Sequence, residues 1–209
     1  MSVRLYDYSG SGNCYKVRLL LALLGREYER VPVDIFAGET LTDAFAALNP
    51  LRETPVLELD SGEVIAQSPA ILWYLAEDTP FLPADRVGRA QVLQWLAFEQ
   101  ERVMGGIGGP RFRRLTGRPP IDGRLRVGEQ ALARLDAHLR EHDWLVGNRC
   151  TIADIAVFGY GHVAEDAGLA PGEHVAGWFA RMRALPGFMA DLEPYGENAR
   201  PGAGRSIYG

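Results

Sequence analysis

Val3-Arg4-Leu5-Tyr6-Asp7-Tyr8, the cluster Ser9-Gly10-Ser11-Gly12-Asn13 and the apolar run Cys14-Tyr15-Lys16-Val17-Arg18-Leu19-Leu20-Leu21-Ala22-Leu23-Leu24 together decide the fold. The first six residues alternate and read as a strand. The Ser/Gly/Asn cluster is a turn. Residues 14–24 are apolar with helical spacing and stop at Gly25, a C′ glycine. Residues 28–33 read as a second strand. Strand, helix, strand favours a parallel pair with a crossover helix.

Working outward, residues 41–48 form a short helical stretch ending before Asn49-Pro50. Pro55-Val56-Leu57-Glu58-Leu59 and Val64-Ile65-Ala66 flank Ser61-Gly62, the pattern of a β-hairpin. Ser68 as N-cap and Pro69 at the first helical position open a helix over 70–76. Thr79-Pro80-Phe81-Leu82-Pro83 is a linker, and beyond it strand signals stop. Helices are expected over 87–103, 123–141, 153–164 and 175–184. Gly105-Gly106-Ile107-Gly108-Gly109-Pro110 is expected to break any helix running through it. The fold class is therefore α/β plus all-α, with an α/β domain at 1–78 and an all-helical domain at 86–193. The Gly-, Pro- and Arg-rich tail from 193 to 209 reads as irregular, and its composition leaves open whether it packs on the body.

The composition narrows the function. The chain has 209 residues, 47% of them hydrophobic, enough for a well-buried core. A net charge of −5 argues against a nucleic-acid binder, which would show a basic face. The longest apolar stretch, residues 19–24, is far short of the roughly 20 residues that span a bilayer, so no membrane partner is expected. The first residues show no signal-peptide pattern. The only two cysteines, Cys14 and Cys150, are far apart, and a reduced, cytoplasmic location is the simpler reading. Lys16 is the only lysine.

The order βαβ, helix, ββα joined to a helical domain resembles the cytosolic glutathione transferase superfamily, and four motifs carry the match. Ser11-Gly12-Asn13-Cys14-Tyr15-Lys16-Val17 resembles the turn of the bacterial, serine-type members and of the related Thr/Ser-Asn group. A helix N-terminus favours an anion, and a hydroxyl there can lower a thiol pKa. The resemblance implies that Ser11 and Asn13 are catalytic and stabilise the thiolate of glutathione. Read without the family, Ser11 is simply a helix cap. Asn49-Pro50-Leu51-Arg52-Glu53-Thr54-Pro55 resembles the segment that ends in a cis-proline. This implies that the Thr54 backbone, with Pro55 as the cis residue, binds the cysteinyl part of glutathione. Many relatives carry Lys where this chain has Glu53, so the resemblance offers Arg52 as the replacement contact for the glycyl carboxylate; read without the family, Arg52 is a solvated surface arginine. Gln67-Ser68-Pro69 resembles the pair that binds the γ-glutamyl end. Thr151-Ile152-Ala153-Asp154 resembles the buried capping motif of the helical domain and is structural.

The resemblance implies a thioredoxin-like first domain holding glutathione as co-substrate, and a cleft shared with the helical domain that takes a small apolar electrophile. It also implies a homodimer, and detoxification as a role. Two alternatives stay open: a thiol–disulfide oxidoreductase using Cys14 as nucleophile, and a non-catalytic transferase-like binding module. Tyr8 reads as packing or a wall of the site. Arg111, Phe112 and Arg114 are candidates for the pocket mouth. Glu99-Gln100 resembles a pair that reaches across the dimer. His138 and His142 share a helix face, but no further ligand completes a metal site, and no metal is expected.

Overall fold

The computed structural model describes residues 3–208. Strand β1 (Val3–Asp7) buries Leu5 and Asp7 on one face and lies inside a four-stranded sheet of order β2-β1-β3-β4. The other strands are β2 (Glu29–Pro32), β3 (Val56–Leu59) and β4 (Val64–Ala66). β1 runs parallel to β2, with Tyr6 opposite Val31, and antiparallel to β3, with Leu5 opposite Leu57. β3 and β4 form the antiparallel hairpin.

The parallel pair needs a crossover, and α1 (Gly12–Leu23) supplies it. This helix is buried continuously from Cys14 to Leu21, because the sheet and α3 lie on one side and a helix of the second half on the other. Its apolar residues are therefore not confined to one stripe. It ends in a Schellman motif: Gly25, at φ 60°, donates to the Ala22 carbonyl, and Arg26 donates to Leu21. A short 3₁₀ turn, Glu39–Leu41, precedes α2 (Asp43–Leu48), whose N-cap is Thr42. Helix α3 (Ser68–Ala76) begins at Ser68, one residue before Pro69, the expected first helical position. Gln67, at φ 73°, occupies the cap position and its carbonyl receives the Ile71 N–H, so Ser68 lies in the first turn and is not the N-cap. Its hydroxyl is thereby released for another partner.

The second half is helical. α4 (Arg86–Phe98) runs without interruption into a π-helical segment, Glu99–Gly108, and on into α5 (Gly109–Thr116). The expected break at 105–110 does not occur. The glycines are there for close packing: a Cβ on Gly106 would lie 2.5 Å from the Gly128 nitrogen, and one on Gly108 would lie 2.9 Å from the Tyr160 ring. Pro110, which has no N–H to donate, falls where the π-helical pairing passes into the α-helical pairing of α5. α6 (Arg124–Leu139) lies against this rod, and α8 (Glu173–Arg183) packs on α6.

α7 (Ile152–Gly161) is buried along its whole length and touches α1, α3 and α4. Its start is a complete capping box. Thr151 Oγ1 accepts from the Ala153 N–H, while Asp154 accepts from the N–H groups of Thr151 (2.9 Å) and Leu145 (3.0 Å) and from Trp178 Nε1 (3.1 Å). Burial still pushes the Asp154 carboxyl up to about 6.

The tail is largely irregular, and it packs on the body. Glu193 N–H donates to the Ser9 carbonyl, Arg205 N–H donates to Phe36, and Ala199 is fully buried. Buried Arg18 joins Asp7 on β1 to Asp191 at the base of the tail.

Candidate active site

The turn after β1 delivers α1 N-terminus first into a cleft of about 310 Å³ between the sheet side and the helical half. Ser11 is the N-cap; its Oγ accepts from the Cys14 N–H at 3.4 Å, a long bond, and no acidic residue occupies the first turn. The helix therefore presents a positive end that is only weakly neutralised from within. Both Ser11 and Asn13 line the cleft.

Asn13 is held from behind. Its Oδ1 accepts from Lys16 Nζ at 2.7 Å and from the Ser68 hydroxyl at 3.4 Å. Lys16 can only donate, which assigns the oxygen to it and leaves Nδ2 as the side chain's free donor toward the cleft. Lys16 Nζ also meets Glu99 Oε1 at 2.7 Å, and both side chains of this pair are fully buried. The lysine stem lies against Gly159, where a Cβ would come within 2.4 Å of Lys16 Cγ. Burial pulls the Lys16 ammonium below its ordinary value, and Glu99 opposes that shift. The only lysine of the chain thus ties the turn of the α/β half to the π-helical segment of the helical half. Glu99 is consumed by this pairing within its own chain, so the expectation that it reaches across a dimer is corrected; Gln100 donates to Glu99 and lines the cleft.

The other predicted residues divide. The Thr54-Pro55 peptide is cis, and both residues line the cleft with Gln67 and Ser68. Gln67 Nε2 donates to Glu53 Oε2 at 3.2 Å. Arg52 is not brought to the site. Its Nη1 donates to the carbonyls of Thr40 (3.2 Å) and Thr42 (3.1 Å), and it does not line the cleft. None of the described cleft-lining residues is cationic. Cys14 also fails to reach the cleft. It has no exposed surface, its Sγ accepts from the Tyr8 N–H, and burial, with the charge of Asp7, pushes the thiol up to about 12. A group so buried and so firmly protonated is a poor nucleophile.

Much of the remaining lining is aromatic: Tyr8, Phe36, Phe112, Tyr160, Tyr195 and Tyr208. Tyr195 stacks on Tyr8, their centroids 6.3 Å apart, and Phe36 stacks on Phe112 at 6.0 Å. Phe112 takes its expected place, whereas Arg111 is buried, pairs with Asp166 at 2.9 Å and donates to the Tyr195 hydroxyl at 3.3 Å. Arg114 lines a neighbouring surface groove. His138 and His142 stack on each other away from the cleft, and no cluster among the described residues could hold a metal ion. Sequence reasoning missed Tyr160, Tyr195, Tyr208 and the pairing of Lys16 with Glu99. Only the solitary lysine offered a signal, since a lysine inside an apolar helix needs a buried partner.

Known proteins match both halves. Residues 10–78 match the model of the glutathione S-transferase N-terminal domain, and residues 124–186 match that of the C-terminal domain. A solved possible glutathione S-transferase from Rhodopseudomonas palustris is 39% identical, with a TM-score of 0.86 over 92% of this chain and 99% of that one. The chain belongs to the glutathione S-transferase family. A second solved structure, a glutathione S-transferase from Pseudomonas fluorescens, is 38% identical with a TM-score of 0.87 over 91% of this chain and 99% of that one. The maleylacetoacetate isomerase of Pseudomonas aeruginosa is 31% identical over 80% of this chain and 84% of its own length. The transferase fold is therefore the thioredoxin-like unit followed by a helical domain, and the protein is a glutathione transferase enzyme.

Proposed function

We propose that this transferase binds glutathione with its sulfur at the start of α1 and adds the thiolate to a small apolar electrophile held on the aromatic wall. The observation that carries this reading is the locked amide of Asn13. With Oδ1 engaged by Lys16 and Ser68, Nδ2 is preset to donate to an anion, and it needs no rearrangement when the thiol ionises. Ser11 adds a second donor, because its oxygen accepts the Cys14 N–H and its own proton is free to turn toward the sulfur. The thiol proton leaves to water and the thiolate attacks.

The backbone of Thr54, beside Pro55, is the partner for the cysteinyl amide. Gln67 and the first-turn amides of α3, that of Ser68 among them, receive the γ-glutamyl carboxylate. Arg52 is committed elsewhere and Glu53 is acidic, so the glycyl end is left to neutral donors or solvent. The buried, protonated Cys14 argues against a thiol–disulfide enzyme, and the ordered cleft argues against a non-catalytic module. We further propose a cytoplasmic homodimer acting in detoxification. The isomerase relative favours one second reading, a dedicated catabolic step on one electrophile. Retention on immobilised glutathione and conjugation of a chloronitrobenzene test the main reading. Binding with turnover is expected, and failure to bind overturns it.

A further inference from the structure

Thiol activation leaves the Tyr160 hydroxyl of the cleft unused. Tyr160 extends from α7, is only 8% exposed and lines the cleft. Its ring is clamped by two glycines. A Cβ on Gly12 would lie 2.4 Å from one ring carbon and 2.7 Å from Cζ, and a Cβ on Gly108 would lie 2.9 Å from the ring. Lys16 Nζ lies 5.0 Å from its centroid. Cζ carries the hydroxyl, so the hydroxyl stands beside Gly12, next to Ser11 and Asn13. Among the described residues it has no hydrogen-bond partner, and it is not sealed from the cleft.

A tyrosine buried to this degree normally finds a partner for its hydroxyl. One that lacks a partner and opens on a cleft is a place for a ligand atom. Burial holds this phenol well above its ordinary value, with the neighbouring charge of Glu99 acting in the same direction and Arg111 opposing it. It is therefore a donor and not an anion at neutral pH. The thiolate already has Asn13, Ser11 and the α1 amides, whereas Tyr160 belongs to the wall that receives the electrophile. That wall is built of rings. Phe36 and Phe112 stack on each other with their planes 12° apart, and the Tyr195 and Tyr208 rings cross Phe112 at 71° and 60°. Such a wall suits an apolar conjugated molecule, met by ring faces or ring edges.

We propose that Tyr160 is a catalytic hydrogen-bond donor to the carbonyl oxygen of an α,β-unsaturated carbonyl electrophile. This rests on the reading of the cleft as the glutathione site. The thiolate sulfur forms a bond to the β-carbon. The alkene pair shifts to join the α-carbon to the carbonyl carbon, and the carbonyl π pair moves onto oxygen as an enolate. The Tyr160 O–H donates to that oxygen, where charge appears only as the bond forms, and water then protonates the α-carbon.

The test is Tyr160→Phe, which keeps the ring against Gly12 and Gly108. kcat/KM is measured with glutathione and either a phenyl-substituted enone or benzyl chloride, whose departing chloride needs no oxygen partner. The loss with the enone is expected to exceed the loss with benzyl chloride by at least about tenfold, the lower range of a positioned proton donor being larger still. Equal losses, or a rise in the pKa of bound glutathione that explains both, overturn the proposal. Should Tyr160→Phe not fold, fluorotyrosine at position 160 keeps the ring and makes a stronger donor. The enone rate should then rise relative to benzyl chloride, and an unchanged ratio overturns the proposal. A wild-type enzyme that substitutes benzyl chloride but never adds to the enone also overturns it. One that binds glutathione and does neither reaction overturns the reading beneath it as well.

Discussion

Helices α1 and α7 both begin at a hydroxyl N-cap, and they put their first turns to opposite uses. At α7 the free amides find partners within the chain. Thr151 and Asp154 close the capping box, and Asp154 also takes the Leu145 and Trp178 donors. At α1 the cap bond is long, no acid follows, and the one polar side chain of the turn is held by its oxygen so that its donors face outward. The first arrangement closes a helix end and stabilises the core. The second leaves a helix end open to an anion. The difference lies in which residue stands near the cap: Asp154 accepts inward, whereas Asn13 donates outward.

The largest effect is expected at the closed end. Asp154→Ala leaves the Thr151, Leu145 and Trp178 donors buried without an acceptor and should cost about 3–5 kcal/mol, seen as a lower midpoint in urea with m unchanged. At the open end, the double variant Lys16→Met with Glu99→Gln removes the clamp without leaving an orphan buried charge. It should reduce kcat/KM by roughly tenfold while folding is retained, within the range of a positioning loss. Ser11→Ala removes a cap and one of the two side-chain donors to the thiolate. About 1 kcal/mol of stability and a smaller kinetic loss than that of Asn13→Ala are expected, from melting curves and steady-state rates. The smallest signal concerns Cys14. Its thiol, pushed up to about 12 by burial, has almost no thiolate at pH 8, so iodoacetamide should label it only after unfolding. Rapid labelling of the native enzyme would reopen the thiol–disulfide route.

The elements that rest on short-range chemistry were legible in the sequence. The βαβ unit followed from alternation and the Gly25 stop, and both caps followed from Ser11 and Thr151. Motif order carried the fold class. The break expected at 105–110 came from propensity alone, which does not register that Gly106 and Gly108 are sites of close approach to Gly128 and Tyr160. Arg52 was assigned by charge and position, and the backbone at φ 58° turns it onto the Thr40 and Thr42 carbonyls. Lys16 and Glu99 are 83 residues apart, and no local pattern joins them. The tail that supplies Tyr195 and Tyr208 has no periodicity to read.

The pKa of the glutathione thiol in the complex is the most direct test of the open helix end. It can be followed by thiolate absorbance across pH in the wild type and in Asn13→Ala. The wild-type value should fall well below the ordinary thiol value of about 8.5, and Asn13→Ala should raise it by about 1–2 units, as expected when a donor to the charged form is lost. An ordinary thiol pKa in the wild type, or one that Asn13→Ala leaves in place, would contradict the role given to this turn.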